Sequence, residues 1–342
     1  MKTQIQYNDA GNYFRIYPTN YNIIGMEDEL NSLCFIGGNM AQRVYFYDAA
    51  STFGRRSIVA RYDDADNKFY LPIIPYYSYA GPTCLSTDGT HIYIGTNYQA
   101  YDQITVLKLD NSLNLVWDYN TGNRVFGVAA DGSGNVYAVG DRSGGKTVWK
   151  LNSSGVLQWD WAANTDLGQD SHCVAVDASG NAYVGGDKVT TKSIWKLDPS
   201  GSLITDGYCS DIPQKICIDG SGYVYVVGER TSSKSVWKLD SNLNLIWDYD
   251  TGANTRGVSV DSLGNVIVTG LPSSDKAVWK LNSSGALQWD YEIEDGALDV
   301  TTDSSNNIYV VGFQYGIIRL NASGELDWSF DTLATHSRIV VL

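Results

Sequence analysis

A unit of about 42 residues that recurs along this 342-residue chain constrains its fold more than any other feature. An aspartate follows a short apolar run in each unit, and successive aspartates are 43, 46, 42, 42 and 42 residues apart. These aspartates are Asp88, Asp131, Asp177, Asp219, Asp261 and Asp303. A period of this length accommodates four short strands with their turns, which is one blade of a β-propeller. The sequence therefore predicts an all-β ring of blades.

Each unit contains four apolar segments separated by turn residues. The sequence Asp-Gly-Ser-Gly-Asn at 131–135 is typical of a hairpin turn, because the aspartate side chain caps the turn and the late glycine accepts a positive φ. The flanking segments are rich in valine and aromatic residues, which strands favour. No segment has the 3.6-residue apolar period of an amphipathic helix, so we expect almost no helix.

Nine of the ten tryptophans fall at two positions of the unit, and only Trp161 lies outside them. The third segment carries Trp149, Trp195, Trp237 and Trp279, and the fourth carries Trp117, Trp159, Trp247, Trp289 and Trp328. An aromatic residue that recurs at one place in a repeat predicts packing between neighbouring units. The residues two positions before each aspartate are small, as expected where strands crowd around an axis: Ser86, Ala129, Ala175, Cys217, Ser259 and Thr301.

The spacing predicts seven four-stranded blades in a single domain of residues 1–342, with eight blades as the alternative. Residues 84–342 hold the regular repeats, and residues 1–83 form a divergent first blade and closure segment. The first unit is stretched to 60 residues. The C-terminal run at 338–342 has the phase of an innermost strand, so we expect it to close the ring. Residues 22–25 have the same phase and compete for this position.

Two segments of the unit resemble known propeller repeats. The Asp-x-x-Gly-Asn-x-Tyr-x-x-Gly segment is similar to the bacterial seven-bladed repeat called SBBP, and Trp-Lys-Leu-Asn-x-x-Gly-x-Leu-x-Trp resembles the repeat of quinoprotein-like (PQQ-like) propellers. Trp-Asp dipeptides invite comparison with WD40 repeats, but no unit has the Gly-His that opens such a repeat. The resemblance covers residues 84–342 and implies a fold, since propellers host many functions.

The formal net charge of −14 disfavours nucleic acid and anionic membranes as partners, because like charges repel. The N-terminus has no apolar run after Lys2, and no stretch of about 18 apolar residues occurs, so neither a signal peptide nor a membrane span is expected. The five cysteines are an odd number without a Cys-x-x-Cys motif, which favours reduced thiols in a chain made in the cytoplasm.

The sequence shows no recognisable catalytic constellation. A quinoprotein-like oxidoreductase would need Ca²⁺ and export, whereas this chain is short and lacks an adjacent cysteine pair. The oxygen-rich run at 63–67 suits Ca²⁺, but Lys68 stands where the next ligand should be. His91, His172 and His336 lie in different units without a metal-like spacing. The sequence therefore predicts no metal, no cofactor and no enzymatic activity.

A basic column in the loop between the second and third segments is the candidate binding site. It consists of Arg142, Lys146, Lys188, Lys192, Arg230, Lys234 and Lys276. In a propeller this loop opens on the same face as the connections between blades, so the column predicts a basic arc on the upper face. The alternative is local pairing with Asp141, Asp187 and Glu229 in the same loops. A second column, Lys108, Lys150, Lys196, Lys238, Lys280 and Arg319, is expected to pair with Asp118, Asp160, Asp248 and Asp290.

These features favour a non-enzymatic propeller that acts as a structural, adhesive or protein-interaction module, with a protein partner in a larger assembly. The near-identical repeats and the polar surface resemble those of phage virion propellers, which implies a tail or capsid-associated component. The alternative is a lectin-like propeller that binds a cell-surface glycan, with sugar platforms at Tyr98, Tyr101, Trp161, Tyr208 and Tyr315.

Overall fold

The computed structural model describes residues 82–96, 104–111, 114–162, 170–273, 275–294, 296–312 and 317–330. It also describes the backbone of six strands before residue 73 and of one strand at 339–341. These regions contain strands and turns and no helix, which confirms the all-β prediction. Within them there is accordingly no helix that is long and apolar enough to cross a membrane.

Twenty-four of the described strands form six four-stranded antiparallel sheets, which are the blades of a β-propeller. Six strands precede them: β1 (Gln4–Asn8), β2 (Tyr13–Tyr17), β3 (Phe35–Gly37), β4 (Arg43–Tyr47), β5 (Val59–Asp63) and β6 (Lys68–Pro72). The blade strands follow four at a time: β7 (Pro82–Thr87), β8 (His91–Thr96), β9 (Val106–Asp110), β10 (Leu115–Tyr119); β11 (Val125–Ala130), β12 (Val136–Ser143), β13 (Lys146–Leu151), β14 (Leu157–Trp161); β15 (Ser171–Val176), β16 (Ala182–Val189), β17 (Lys192–Leu197), β18 (Leu203–Gly207); β19 (Pro213–Ile218), β20 (Val224–Thr231), β21 (Lys234–Leu239), β22 (Leu245–Tyr249); β23 (Thr255–Val260), β24 (Val266–Ser273), β25 (Lys276–Leu281), β26 (Leu287–Glu292); β27 (Ala297–Thr302), β28 (Ile308–Gly312), β29 (Ile317–Leu320), β30 (Leu326–Phe330). The last strand is β31 (Ile339–Val341).

The first strand of every blade lies innermost, and the innermost strands of successive blades contact one another around a central channel. These strands are β7, β11, β15, β19, β23 and β27. The second, third and outer strands follow outward in chain order. The hairpins between second and third strands therefore open on the same face as the connections between blades, and we call this the upper face. The other hairpins lie on the lower face.

Strands β1 to β6 and β31 form one seven-stranded sheet in the order β1-β2-β6-β5-β4-β3-β31. β31 is parallel to β3 and antiparallel to β4, and it contacts β27 of the last blade and β7 of the first. The prediction of seven four-stranded blades, with eight as the alternative, is therefore wrong: the described part of the chain has six. The 42-residue period is lost before residue 82, so these strands do not follow the spacing of a blade. Residues 22–25 lie outside the described residues.

The repeated aspartates cap the lower hairpins, as the sequence predicts. Asp131 Oδ1 accepts hydrogen bonds from the backbone N–H groups of Ser133 and Asn135, both at 2.9 Å. Gly134 has a φ of 77°, which a residue without Cβ adopts at little cost. The same pair of hydrogen bonds recurs at Asp177, Asp219, Asp261 and Asp303. One side chain thus fixes each hairpin beside the channel.

Both tryptophan columns pack between blades, which confirms their predicted role. The third-strand residues Trp149, Trp195, Trp237 and Trp279 are only 4–5% exposed. On the outer strands the indole lies over a glycine in the lower hairpin of the next blade: a Cβ on Gly155 would lie 2.8 Å from the ring of Trp117. The same indole donates its Nε1–H to the Ser153 carbonyl at 3.0 Å, and the second and fourth blades repeat this contact.

The lysines of the second basic column also link neighbouring blades, and the prediction that they pair with Asp118, Asp160, Asp248 and Asp290 is wrong. Among the described residues, Arg319 alone of the column pairs with an outer-strand aspartate, Asp327 at 3.6 Å. Lys150 Nζ donates to the Pro199 carbonyl of the next blade at 2.9 Å and lies 4.9 Å from the ring centre of Tyr137. The lysines that reach the next lower hairpin in this way are Lys108, Lys150, Lys196, Lys238 and Lys280. The extended lysine stem crosses the interface between blades, so its ammonium group meets a carbonyl oxygen and an aromatic ring there.

Candidate functional site

A bulge opens the innermost strand of every described blade. In the second blade Val125 pairs with Gly140 and Gly127 pairs with Val139, so Phe126 is left without a cross-strand partner. The residues at this position are Thr83, Phe126, His172, Gln214, Arg256 and Leu298, and we call them the mouth ring. A bulge re-aims the extra side chain and is common next to active sites.

Contacts between neighbours show that the mouth ring surrounds the upper end of the channel. Phe126 and His172, from the second and third blades, have ring centroids 5.6 Å apart. Arg256 Nη1 of the fifth blade donates to Gln214 Oε1 of the fourth at 3.2 Å. The six members all differ in chemistry, although the packing residues around them repeat from blade to blade. Packing alone would favour one residue type here, so the variation indicates a specific site.

His172 has the geometry of an acid–base group. Its Nε2 lies 2.6 Å from Oδ1 of Asp187, near the upper end of the second strand of the same blade. Since a carboxylate accepts the hydrogen bond, Nε2 carries the proton and Nδ1 is the basic nitrogen. The His172 side chain is 22% exposed and packs beside the ring of Phe126. The imidazole is therefore held in one orientation and is still reached by solvent.

Charged groups of the upper face lie close to this imidazole. Burial raises the pKa of Asp170, and the nearby charges of Asp141 and Asp187 add to the rise, while the hydrogen bond from the backbone N–H of Arg142 opposes it. Asp141 accepts two hydrogen bonds from the Arg124 guanidinium, at 2.6 and 3.2 Å, and this pairing raises the pKa of Arg124. Carboxylates and one guanidinium thus flank the entrance to the channel on this side.

An ion pair with a buried carboxylate spans the other side of the channel, one residue below the mouth ring. Lys215 of the fourth blade pairs with Asp299 of the sixth, and the Asp299 side chain is only 4% exposed. The fifth blade contributes Gly257 between them. A Cβ at Gly257 would lie 2.8 Å from Asp299 Cα and 2.4 Å from Thr269 Oγ1. The absence of a side chain in the fifth blade therefore makes room for this ion pair.

The predicted basic arc lies on the upper face, but four of its lysines start the third strands and are paired with acids of the outer strands. These pairs are Lys146–Asp160, Lys192–Asp206, Lys234–Asp248 and Lys276–Asp290, with Glu292 as a second partner of Lys276. The other members are also engaged: the pairs are Lys188–Asp211 and Arg230–Asp250, and the Arg142 backbone N–H donates to Asp170. The arc is thus a rim of paired charges outside the mouth ring.

The predicted sugar platforms do not converge in the described residues. Trp161 packs against Trp195 with ring centroids 6.3 Å apart, and the Tyr208 hydroxyl donates to Asp211 at 2.8 Å. Outside the described residues lie Tyr98, Tyr101, Tyr315, His336 and the loop at 64–67 that was considered for Ca²⁺. In the part of the chain that the structure describes, no group of three histidine, cysteine or acidic residues is arranged to hold a metal ion.

Sequence reasoning missed the mouth ring because its members are about 42 residues apart and meet only in the folded ring. Spacing along the chain gives His172 no partner, whereas the fold puts it beside Phe126 of the preceding unit. One signal in the sequence could have found the site. The second residue of each innermost strand changes type in every unit, while the tryptophans, aspartates and glycines of the repeat recur.

Comparisons with known proteins show what the fold resembles. No protein-family model and no curated protein matches the sequence. A solved structure of streptogramin B lyase matches with a TM-score of 0.65 at 13% identity, over 87% of this chain and 94% of that one. A catalytically inactive variant of virginiamycin B lyase from Staphylococcus aureus, solved with quinupristin, matches with a TM-score of 0.66 at 12% identity, over 84% and 94%. A protein of unknown function from Bacteroides caccae matches with a TM-score of 0.52 at 14% identity, over 71% and 93%.

These structures correct the expectation that the chain is not an enzyme. Two of the matching propellers are lyases, so the absence of a recognisable catalytic motif in the sequence does not exclude activity on this architecture. One fold hosts many functions, so an activity has to be argued from the site and not from the fold. At 12–14% identity the likeness itself shows the fold: the chain is a β-propeller like that of streptogramin B lyase.

Proposed function

We propose that the protein binds an organic ligand at the mouth ring and that His172 acts there as the general base of a lyase-type reaction. The observation that carries this proposal is the 2.6 Å hydrogen bond between His172 Nε2 and Asp187 Oδ1. A carboxylate that holds one imidazole nitrogen fixes the tautomer and leaves the other nitrogen to accept a proton. The lyases among the matching propellers support testing this reaction class first.

Other members of the mouth ring define the ligand class. Phe126 offers an apolar ring beside the imidazole, and Gln214 and Arg256 on the two following blades offer hydrogen-bond donors. A guanidinium stabilises a carboxylate, or the negative charge that develops on a carbonyl oxygen when a base removes a proton from the neighbouring carbon. We therefore expect a carboxylic acid derivative that carries an apolar or aromatic group.

In the proposed step, His172 Nδ1 removes a proton from the carbon next to the carbonyl group. The electron pair of the broken C–H bond forms a double bond to the adjacent carbon, and the leaving group departs from that carbon with its own bonding pair. The imidazolium then gives the proton to the leaving group. The atoms of the substrate are all conserved, so the products of elimination differ from those of hydrolysis by one water.

Quinupristin, the compound present in one of the matching lyase structures, is the first probe. We expect the protein to convert it without adding water, as read by mass spectrometry, and His172→Ala to slow the conversion by roughly 10²–10⁴-fold, the usual contribution of a general base. His91→Ala is the matched control, because His91 lies on the lower face and hydrogen-bonds to Asp88 at 3.1 Å.

A panel of carboxylate esters should be tested for binding and turnover beside quinupristin, so that the test of the proposal does not depend on a single compound. If nothing in the panel binds or reacts, or if His172→Ala is as active as the wild type, His172 is not a general base at this site. Products that contain an added water would identify a hydrolase and overturn the elimination step.

Docking into a protein assembly is a second candidate function, and exposed apolar residues favour it. They lie at or near the start of the outer strands of all six described blades: Leu115, Val116, Leu157, Leu203, Ile204, Leu245, Ile246, Leu287 and Leu326. A repeated apolar band on edge strands is typical of a contact surface.

Association between copies of this chain tests the apolar band as a contact surface. Light scattering should show an association that increases with protein concentration and is lost when Leu245 and Ile246 are both replaced by lysine. A monomer at every concentration would contradict docking between copies of this chain.

A further inference from the structure

The tryptophan column of the third strands runs through the second to fifth blades and is absent from the first and the sixth, where Leu107 and Ile318 take its place. In the second to fifth blades this position holds Trp149, Trp195, Trp237 and Trp279, paired with a small or β-branched residue of the second strand. In the sixth blade Val310 pairs with Ile318 at the same place. The interface between the fifth and sixth blades therefore has an isoleucine where four other blades have an indole.

Trp195 of the third blade shows which neighbour an indole at this position has. Trp195 packs against Trp161, which ends the outer strand of the preceding blade, with ring centroids 6.3 Å apart. Cross-strand register places Tyr291 of the fifth blade at the position that Trp161 has in the second, since Val148 pairs with Trp161 and Val278 pairs with Tyr291. Tyr291 packs against the apolar cluster that contains Ile318, and burial raises the pKa of its hydroxyl.

A cavity of about 380 Å³ that opens to solvent lies beside Ile318, the residue at the tryptophan position. Its walls include Tyr291, Ile293, Ile318 and Leu326, and its polar lining consists of Asp275, Glu292, Glu294 and Ser329. The interface differs from the others in a second way: Trp289 Nε1 is buried without a hydrogen-bond partner among the described residues, whereas Trp117, Trp159 and Trp247 donate to the next blade.

The charges at this cavity are mainly negative. Three carboxylates line it, and the Lys276 ammonium lies 2.8 Å from Glu292 Oε1 and 3.0 Å from Asp290 Oδ1. Lys276 therefore offsets one charge of the lining, and the carboxylates of Asp275 and Glu294 leave the cavity with a negative potential. An apolar interior with such a lining favours a flat hydrophobic group that carries a positive charge.

We propose that the cavity between the fifth and sixth blades binds a small organic cation with an indole-sized aromatic ring. The ring occupies the space that a tryptophan side chain fills in four other blades, and stacks near Tyr291 above Ile318. The ammonium group lies at Asp275 and Glu294. This site is separate from the mouth ring, because its lining comes from outer and third strands and from an upper-face hairpin.

Tryptamine is the probe, and indole-3-acetate is its anionic control with the same ring. Isothermal titration should show tryptamine binding at least about tenfold more tightly than indole-3-acetate, a ratio that corresponds to 1.4 kcal/mol. Ile318→Trp restores the repeat and should abolish tryptamine binding, while Ile318→Val keeps the cavity open and should retain it. Asp275→Asn and Glu294→Gln together should remove the preference for the cation.

Stability measurements keep the test informative whatever Ile318→Trp does to the fold. We expect this variant to melt at the same or a higher temperature, because it fills a cavity with the residue that the repeat uses. A folded Ile318→Trp protein that still binds tryptamine, or a wild type that binds the anion equally well, would overturn the proposal. If Ile318→Trp does not fold, the Asp275→Asn and Glu294→Gln variant decides, since it leaves the packing unchanged.

Discussion

At the scale of single residues, the third-strand tryptophans connect two blades at once. Trp237 is 5% exposed and belongs to a core cluster that holds Cys173 of the preceding blade together with Ile216 and Val226 of its own blade. Gly257, in contrast, stabilises the fold by leaving space: the missing side chain makes room for the Lys215–Asp299 pair. Stability at this scale depends on filling some positions and keeping others empty.

Trp237→Ala should lower the free energy of unfolding by roughly 3–5 kcal/mol, the usual cost of truncating a buried aromatic side chain. Trp161→Ala should cost less, because Trp161 is only partly buried. Urea denaturation followed by circular dichroism measures both changes. A Trp237→Ala midpoint equal to that of the wild type would mean that these tryptophans do not hold the blades together.

Gly257→Ala should destabilise the protein by about 1–3 kcal/mol, the usual cost of overpacking, because its new methyl group collides with the backbone of Asp299. Gly132→Ala is the matched control, since a Cβ at Gly132 has no atom within 4 Å, and its effect should stay within about 0.5 kcal/mol. Thermal unfolding of the two variants gives the comparison. Equal melting temperatures would show that the channel adjusts to a side chain at Gly257.

At the scale of elements, one side-chain oxygen holds each capped hairpin on the lower face: an aspartate carboxylate in most of them, and the amide oxygen of Asn152, Asn282 or Asn321 in three others. A hydrogen bond from the Asn244 side chain holds the pKa of Asp240 below its usual range, and one from the Ser200 hydroxyl does the same for the pKa of Asp198. At Asp261, burial alone would raise the pKa, but hydrogen bonds from Asn265 and the Lys280 ammonium together lower it. The turns at Asp198, Asp240 and Asp261 are therefore stabilised by the ionised form of the aspartate.

Acid should unfold the propeller through these turns. Because the folded-state pKa values lie below the unfolded value of about 3.9, the stabilisation is present above about pH 4 and is lost as the pH falls through the folded values. The melting temperature should drop steeply between about pH 4 and pH 2. Asp261→Asn, which keeps an oxygen acceptor but does not ionise, should show a shallower drop. A melting temperature independent of pH in this range would contradict the role of the charges.

At the scale of the whole molecule, β31 lies between the first and last blades and contacts the innermost strand of each. A repeat array gains stability from interfaces between neighbours, and a ring has one interface more than an open array. We predict that deletion of residues 339–342 lowers the melting temperature and promotes association through the bared edges. Alanine at both Lys146 and Lys192 is the control, because exposed pairs contribute only about 0–1 kcal/mol. Truncated protein that stays monomeric and melts like the wild type would assign closure to another segment.

The structure within each repeat could be predicted from the sequence, whereas the contacts between repeats and the sheet outside them could not. The aspartate turns, the strands and the tryptophan packing follow from local chemistry that every unit shares, so they could be predicted from one chain. The seven-stranded sheet could not, because β31 joins β3 from the other end of the sequence. His172 and Phe126 meet only through the ring, and Lys150 reaches a carbonyl oxygen that belongs to the next unit. Contacts between blades are thus the part that spacing alone does not give.

The links between blades all point the same way around the ring. The third-strand lysines of the first five described blades reach the lower hairpin of the blade that follows, and the outer-strand tryptophans of the first, second and fourth blades do the same. An additional copy of such a unit would therefore bring both the donor side chains for the next blade and the accepting carbonyl for the preceding one. Such an array can therefore gain or lose a unit while the contacts between the remaining blades keep the same form.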